Sequence, residues 1–215
     1  MGLKIRPYRA EDRESVRAIC FDTGLMGEPV SAQYGDRESF ADLFTAYYTD
    51  HEPEHCFVVD GDGRVLGYLL GTLDTARVPA PESVIVRHVF TRALPLRTNM
   101  AAFFARSLRD TLVDVVARGQ HPKPDLARFP AHTHFNLLAE ARQAPIAAGL
   151  YRSFFLAAKR AGCPGIHGEV FAENTRAAAL HEAMGFQRQG EPAPAPGMRG
   201  PKGERLHIQL WTRKL

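Results

Sequence analysis

Apolar positions recur along this chain with two periods, one near two residues and one between three and four, and together they lay out its elements. Residues 2–8 alternate and end at a proline, which predicts a first strand. Residues 11–21 place Val16, Ala18 and Ile19 at helical spacing behind Asp12, a residue type suited to an N-cap. A glycine-bearing loop at 24–29 leads to a second predicted helix over 37–48. Residues 56–59 and 65–73 read as strands, and Asp60-Gly61-Asp62-Gly63 between them reads as a hairpin turn. Residues 76–130 are irregular. They hold one helical stretch, 99–117, which offers Phe103, Leu108, Leu112 and Val116 for one face, followed by a polar, proline-bearing loop over 119–130. Regularity then returns: strand 132–139, amphipathic helix 146–161, strand 165–171, and helix 174–184 closed by Gly185. A short extended piece at 186–189, a Pro- and Gly-rich loop at 190–203 and a strand at 204–211 complete the chain.

That order predicts an α/β fold over 1–215 as one domain, with a mixed, mostly antiparallel sheet flanked by helices. Residues 76–130 are a helical insertion before the strand at 132. They either cover a substrate pocket or form a subunit contact.

Composition then narrows the function. The chain has 215 residues, 45% hydrophobic and 24% charged, enough to bury one core. No apolar run approaches the roughly 18 residues of a membrane helix, and the N-terminus carries charge where a signal peptide is apolar. A cytoplasmic protein with no membrane partner is expected. Cys20, Cys56 and Cys163 are too few and too scattered for a disulfide framework or a zinc site, so no metal is expected. The net charge of +3 is spread among mixed signs with no basic stripe, which argues against nucleic acid.

The chemistry concentrates between His132 and Phe186. A strand, a tight loop and a helix N-terminus form an anion site, because loop amides point outward and the helix dipole adds positive charge. The loop is Arg142-Gln143-Ala144-Pro145-Ile146-Ala147, and Asn174, Ala177, His181 and Met184-Gly185-Phe186 follow at set intervals. This succession resembles motifs A and B of the GNAT superfamily of acetyltransferases, whose loop reads Q/R-x-x-G-x-G/A. Ile5–Ile19, Asp50–Asp74 and Cys163-Pro164-Gly165 are further similar to bacterial GNAT proteins that resemble the C-terminal acetyltransferase-like domain of O-GlcNAcase.

The resemblance implies a GNAT fold, acetyl-CoA as co-substrate and an amine as acceptor. Backbone groups of Leu137 and Leu138 would hold the pantetheine arm, with the Leu138 amide polarising the thioester carbonyl. The loop from Arg142 through Gln143, Ala144, Ile146 and Ala147 would bind the pyrophosphate, and Asn174 would help hold the cofactor. His181 takes the place of the family's acid tyrosine. Asp74 and His134 lead as candidate bases, ahead of His132 and Glu169; Asn136 shares a strand face with His132 and His134 but cannot accept a proton.

Two departures from the family pattern bear on activity. Pro145 replaces the loop's middle glycine and lacks an N–H, a loss of about 1.5–3 kcal/mol of hydrogen bonding to a charged group. His181 is shorter than tyrosine. The alternative to an enzyme is therefore a pseudo-acetyltransferase, a binding module with weak or no CoA affinity. The oligomeric state stays open, a homodimer being the commonest assembly.

Overall fold

The computed structural model describes residues 2–97, 99–116 and 123–215. Its seven strands form one sheet in the order β1-β2-β3-β4-β5-β7-β6. They are β1 (Leu3–Pro7), β2 (Phe57–Gly61), β3 (Arg64–Thr72), β4 (Ala131–Leu137), β5 (Gly165–Phe171), β6 (Gln187–Arg199) and β7 (Arg205–Lys214). Every neighbouring pair is antiparallel except β4 and β5. The hairpin between β2 and β3 turns where predicted, at Asp62 (φ 52°) and Gly63 (φ 87°), the two left-handed positions of a tight turn.

Helices cover both faces. On one side α1 (Arg13–Thr23) packs Val16, Ile19 and Cys20 against Val58, Tyr68 and Leu70. Beside it lies a continuous helical run made of α2 (Arg37–Ala41), a π turn over Asp42–Ala46 and α3 (Tyr47–His51). On the other side α6 (Ala144–Arg160) and the short α7 (Thr175–Ala183) pack with Val59, Leu69, Ile166 and Trp211. Strand alternation assigns β4 to both layers. His132, His134 and Asn136 reach Tyr48, Tyr68 and Thr23 on the α1–α3 side, whereas Phe135 stacks on Tyr151 of α6.

The inserted region departs from expectation in two ways. It holds a second helix, α4 (Pro81–Arg92), that the sequence pattern did not show. Its predicted helix is α5 (Met100–Val116), but the face offered for burial points outward: Leu108 is 64%, Leu112 60% and Val116 84% exposed, and only Phe103 is half-buried. Residue 117 and the start of the predicted loop, to 122, lie outside the described residues. The Pro-rich segment predicted as a loop is the far half of β6. Prolines suit it because β6 is the edge of the sheet, where a missing N–H breaks no ladder. Ala193, Ala195 and Gly197 alternate inward, and a Cβ on Gly197 would come within 2.1 Å of Ser107 on α5.

Candidate active site

The site is a gap in the middle of the sheet. Strands β4 and β5 pair in register only at Ala131–Ile166 and His132–His167, then diverge. As a result residues 132–136, on the central strand of a sheet covered on both faces, are only half-buried. Leu138 N–H donates to Leu66 O (2.9 Å), which fixes the alternation of the strand. The Leu138 amide is thus committed to β3 and cannot polarise a substrate, contrary to expectation. By the same alternation the backbone groups of Phe135 and Leu137 face β5, which offers them no partner in register. Leu137 O accepts Arg142 Nε (3.0 Å).

At the open end, a 3-10 turn over Ala139–Ala141 uses up most of the loop's amides. Ala141 N–H donates to Leu138 O, Arg142 N–H to Ala139 O, Gln143 N–H to Ala141 O, and Ala147 N–H to Gln143 O. With Pro145 having no N–H, the amides of Ala144 and Ile146 are the two without a partner among the described residues. Gln143 and Ala147 therefore bring no free amide, contrary to expectation. Asn174 caps α7 by accepting Ala177 N–H (3.1 Å). Arg142 reaches across to Gly27 O (2.5 Å) and Arg176 to Met26 O (3.3 Å).

At the closed end the α6 layer supplies a buried phenol. The Tyr151 hydroxyl meets His181 Nε2 (3.4 Å) and lies against the Thr133 side chain. Thr133 and Gly168, against which His181 packs, both come one residue after the last paired positions. His181 donates Nδ1–H to Ala177 O (2.9 Å) and sits buried among Tyr151, Phe186 and Trp211. Burial lowers its pKa, so it is neutral at pH 7 and has no proton directed at the gap. Burial pushes Tyr151 up to about 12, so its hydroxyl keeps its proton. Next to His181, Trp211 Nε1 is buried without a partner among the described residues.

The opposite face of β4 carries a different polar set. His132 Nδ1 bonds Thr75 Oγ1 (2.7 Å), whose own proton goes to Pro130 O (2.6 Å). The ring therefore donates from Nδ1 and accepts Tyr48 O–H at Nε2 (2.5 Å). Burial lowers its pKa to about 3, with His167 and His134 adding to the shift. His134 stacks on Phe44 and meets Tyr68 O–H through Nδ1 (3.2 Å). Its Nε2 has no hydrogen-bond partner among the described residues. Burial of the rest of the ring pushes His134 down to about 4.

Asp74, the other leading candidate, is exposed and caps the turn Thr75–Arg77 through Ala76 N–H (3.1 Å), beyond the closed end of the gap. Glu169 is exposed on β5. Asn136 donates to Thr23 Oγ1 (2.6 Å) and so anchors the end of α1 just before the 24–29 loop.

Sequence reasoning missed Glu52, Tyr48, Tyr151 and Arg176. Glu52 is buried, which pushes its carboxyl up, but hydrogen bonds from Tyr47, Thr72, His55 and the Leu73 amide outweigh this and leave it below the usual range. Tyr48 sits among core aromatics, and only its hydroxyl distinguishes it. Tyr48, Tyr151 and Arg176 meet partners on distant elements, and Glu52 completes its set with Thr72 and the Leu73 amide, so no short-range signal singles these groups out.

No family model matches the sequence. Solved structures are similar along the whole chain. SsHAT superposes with a TM-score of 0.66 and 26% identity, covering 100% of this chain and 98% of its own. A phosphinothricin acetyltransferase (Pat) of the GNAT superfamily from Sinorhizobium meliloti, solved in complex with AcCoA, gives 0.61 and 17%, covering 100% and 89%. A GCN5-related N-acetyltransferase from Kribbella flavida gives 0.57 and 19%, covering 99% and 98%. Along its whole length the chain is similar in fold to these structures, N-acetyltransferases of the GNAT superfamily among them.

Proposed function

We propose that the chain transfers an acetyl group from acetyl-CoA to an amine. The observation that carries this reading is the divergence of β4 and β5, which turns backbone groups of Phe135 and Leu137 toward a slot instead of a strand. Such groups suit the amides of a pantetheine arm, and the two helix N-termini at the open end suit the diphosphate. Acetyl-CoA supplies an activated thioester. Leu137 N–H lies farther from the closed end and holds the arm; Phe135 N–H lies nearer and polarises the thioester carbonyl as negative charge develops there.

The amine attacks that carbon from the α1–α3 side. His134, neutral at pH 7 with Nε2 unpartnered among the described residues, takes the proton that the amine loses and passes it to solvent. On the other face Tyr151 gives its hydroxyl proton to the departing thiolate, and His181 holds the phenol in place. The acid role expected of His181 thus moves to a residue that touches it.

Calorimetric titration with acetyl-CoA, followed by thiol-release assays over a panel of amines, tests this reading. Saturable binding and thiol release that depends on the amine are expected. Tyr151→Phe should lower kcat by about 10²-fold while leaving KM unchanged. No binding at millimolar acetyl-CoA would overturn the proposal. Pro145 and the neutral His181 favour a second reading, a CoA-binding module without transfer, for which binding would be seen and thiol release would not.

A further inference from the structure

We propose that Arg142 and Arg176 together form a clamp for the diphosphate of the coenzyme, and that the tip of the 24–29 loop competes for the same donors. This rests on reading the gap as an acyl-CoA site. The two guanidinium groups converge on one point: a Cβ built on Gly27 would lie 3.1 Å from Arg142 Nη2 and 3.1 Å from Arg176 Nη2. They come from different elements, Arg142 from the turn before α6 and Arg176 from the first turn of α7.

Neither makes an ion pair among the described residues. Their partners are the main-chain oxygens of Leu137, Gly27 and Met26. The carboxylates close to them in sequence are engaged elsewhere, Glu140 with Arg64 (2.6 Å) and Glu173 with His207 (2.8 Å). Two cations brought together beside two helix N-termini repel each other and oppose both dipoles. An anion relieves all of these terms at once, and a guanidinium binds phosphate oxygens in a fixed fork.

The loop chemistry points the same way. Pro145 and the internal turn leave the amides of Ala144 and Ile146 for phosphate, so charge must replace the donors that a glycine-rich loop would bring. The competing tip is a two-residue turn, with Met26 at φ 55° and Gly27 at φ 99° closed by the Leu25–Glu28 bridge. Its carbonyls are neutral acceptors, whereas a phosphate brings a full opposite charge and takes both arms of a guanidinium fork. Diphosphate binding therefore releases the tip, which continues from the end of α1 where Asn136 holds Thr23 on the acceptor side. Coenzyme binding and the shape of the acceptor site become linked through Arg142 and Arg176.

Arg176 is exposed, so Arg176→Ala tests the clamp without disturbing the core. Acetyl-CoA is titrated into the full chain and into Arg176→Ala at low and high salt, with thermal melts alongside. The clamp predicts a Kd about tenfold weaker in the variant, an unchanged melt, and a deficit that shrinks at high salt as screening weakens the charge contribution. Arg176→Lys should recover part of the affinity, since it restores charge without the fork. An unchanged Kd in Arg176→Ala would overturn the clamp while leaving the acyl-CoA reading intact. A weaker Kd with a lowered melt and no salt dependence would also overturn it, since Arg176 would then act on the fold. No binding by the wild-type chain would remove the acyl-CoA reading itself and the clamp with it.

Discussion

Helices α5 and α6 are each seventeen residues long and each carries an apolar stripe, yet they stand on the sheet in opposite senses. Helix α6 buries its stripe completely: Leu150, Phe154 and Ala158 have no exposed surface, and Phe154 fills the space that Gly71 leaves on β3. Helix α5 turns an acidic edge inward. Asp110 accepts Gly197 N–H (2.9 Å) and pairs with Arg199 (2.7 Å), and Asp114 pairs with Arg205 (2.6 Å). The difference lies in what each helix meets. The sheet centre offers α6 mainly apolar side chains, Thr133 beside the Tyr151 hydroxyl apart. The edge strand β6 offers α5 small residues, an arginine and a backbone N–H that β7 does not use. Amphipathicity identifies the apolar face of a helix; the partner surface decides whether that face points inward.

The largest effect should come from α6. Replacing Phe154 by Ala opens a cavity under the sheet and should destabilise the fold by about 3–5 kcal/mol, read from urea unfolding with an unchanged m-value. A loss under about 1 kcal/mol would mean that α6 is not packed as described.

A smaller loss is expected from α5 at its charged edge. Asp110→Ala leaves Arg199 and the Gly197 amide without their acceptor and should destabilise by about 1.5–3 kcal/mol. The hydrogen bond from Arg199 holds the Asp110 carboxyl at about 2, below its ordinary 3.8. A depressed carboxyl contributes stability above the unfolded pKa and loses it as pH falls toward the folded one. Once intrinsic exchange rates are divided out, amides of α5 should therefore lose more protection between pH 5 and pH 3 than those of α6, and Asp110→Ala should remove that contrast. Equal acid sensitivity of the two helices would break the comparison.

The same contrast explains what was legible in the sequence. Periodicity located α1, α6, β5 and the β2–β3 hairpin because each satisfies its pattern with neighbours of ordinary kind. It placed His132, His134 and Asn136 on one face of β4, since strand alternation is local. It failed for α5 because Asp110 and Asp114 find Arg199 and Arg205 some ninety positions along the chain. The Pro-rich half of β6 was hidden for a related reason: proline excludes a central strand, not an edge one. At the site, motif spacing led to the neighbourhood of His181, but the phenol beside it comes from α6, and Glu52 gathers its donors from three segments. Contacts of that kind are set by topology rather than by pattern.

The smallest effect should be the most discriminating. Leu112 is 60% exposed on the outer face of α5 and meets no core cluster. If that face is solvent-exposed in solution, Leu112→Ser should change stability by no more than about 0.5 kcal/mol. The measurement is the urea midpoint, repeated across a range of protein concentrations. A concentration-independent midpoint close to wild type would confirm that the outer apolar face of α5 needs no cover, the helix being held by Asp110, Asp114 and its buried Met100 end. A loss above about 1 kcal/mol that grows with protein concentration would show that the apolar face is covered after all, because only burial makes the removal of a leucine costly and only association makes the cost depend on concentration. In that case α5 and α6 would follow the same rule, each burying its apolar stripe, with the two differing only in whether the covering surface belongs to the same chain.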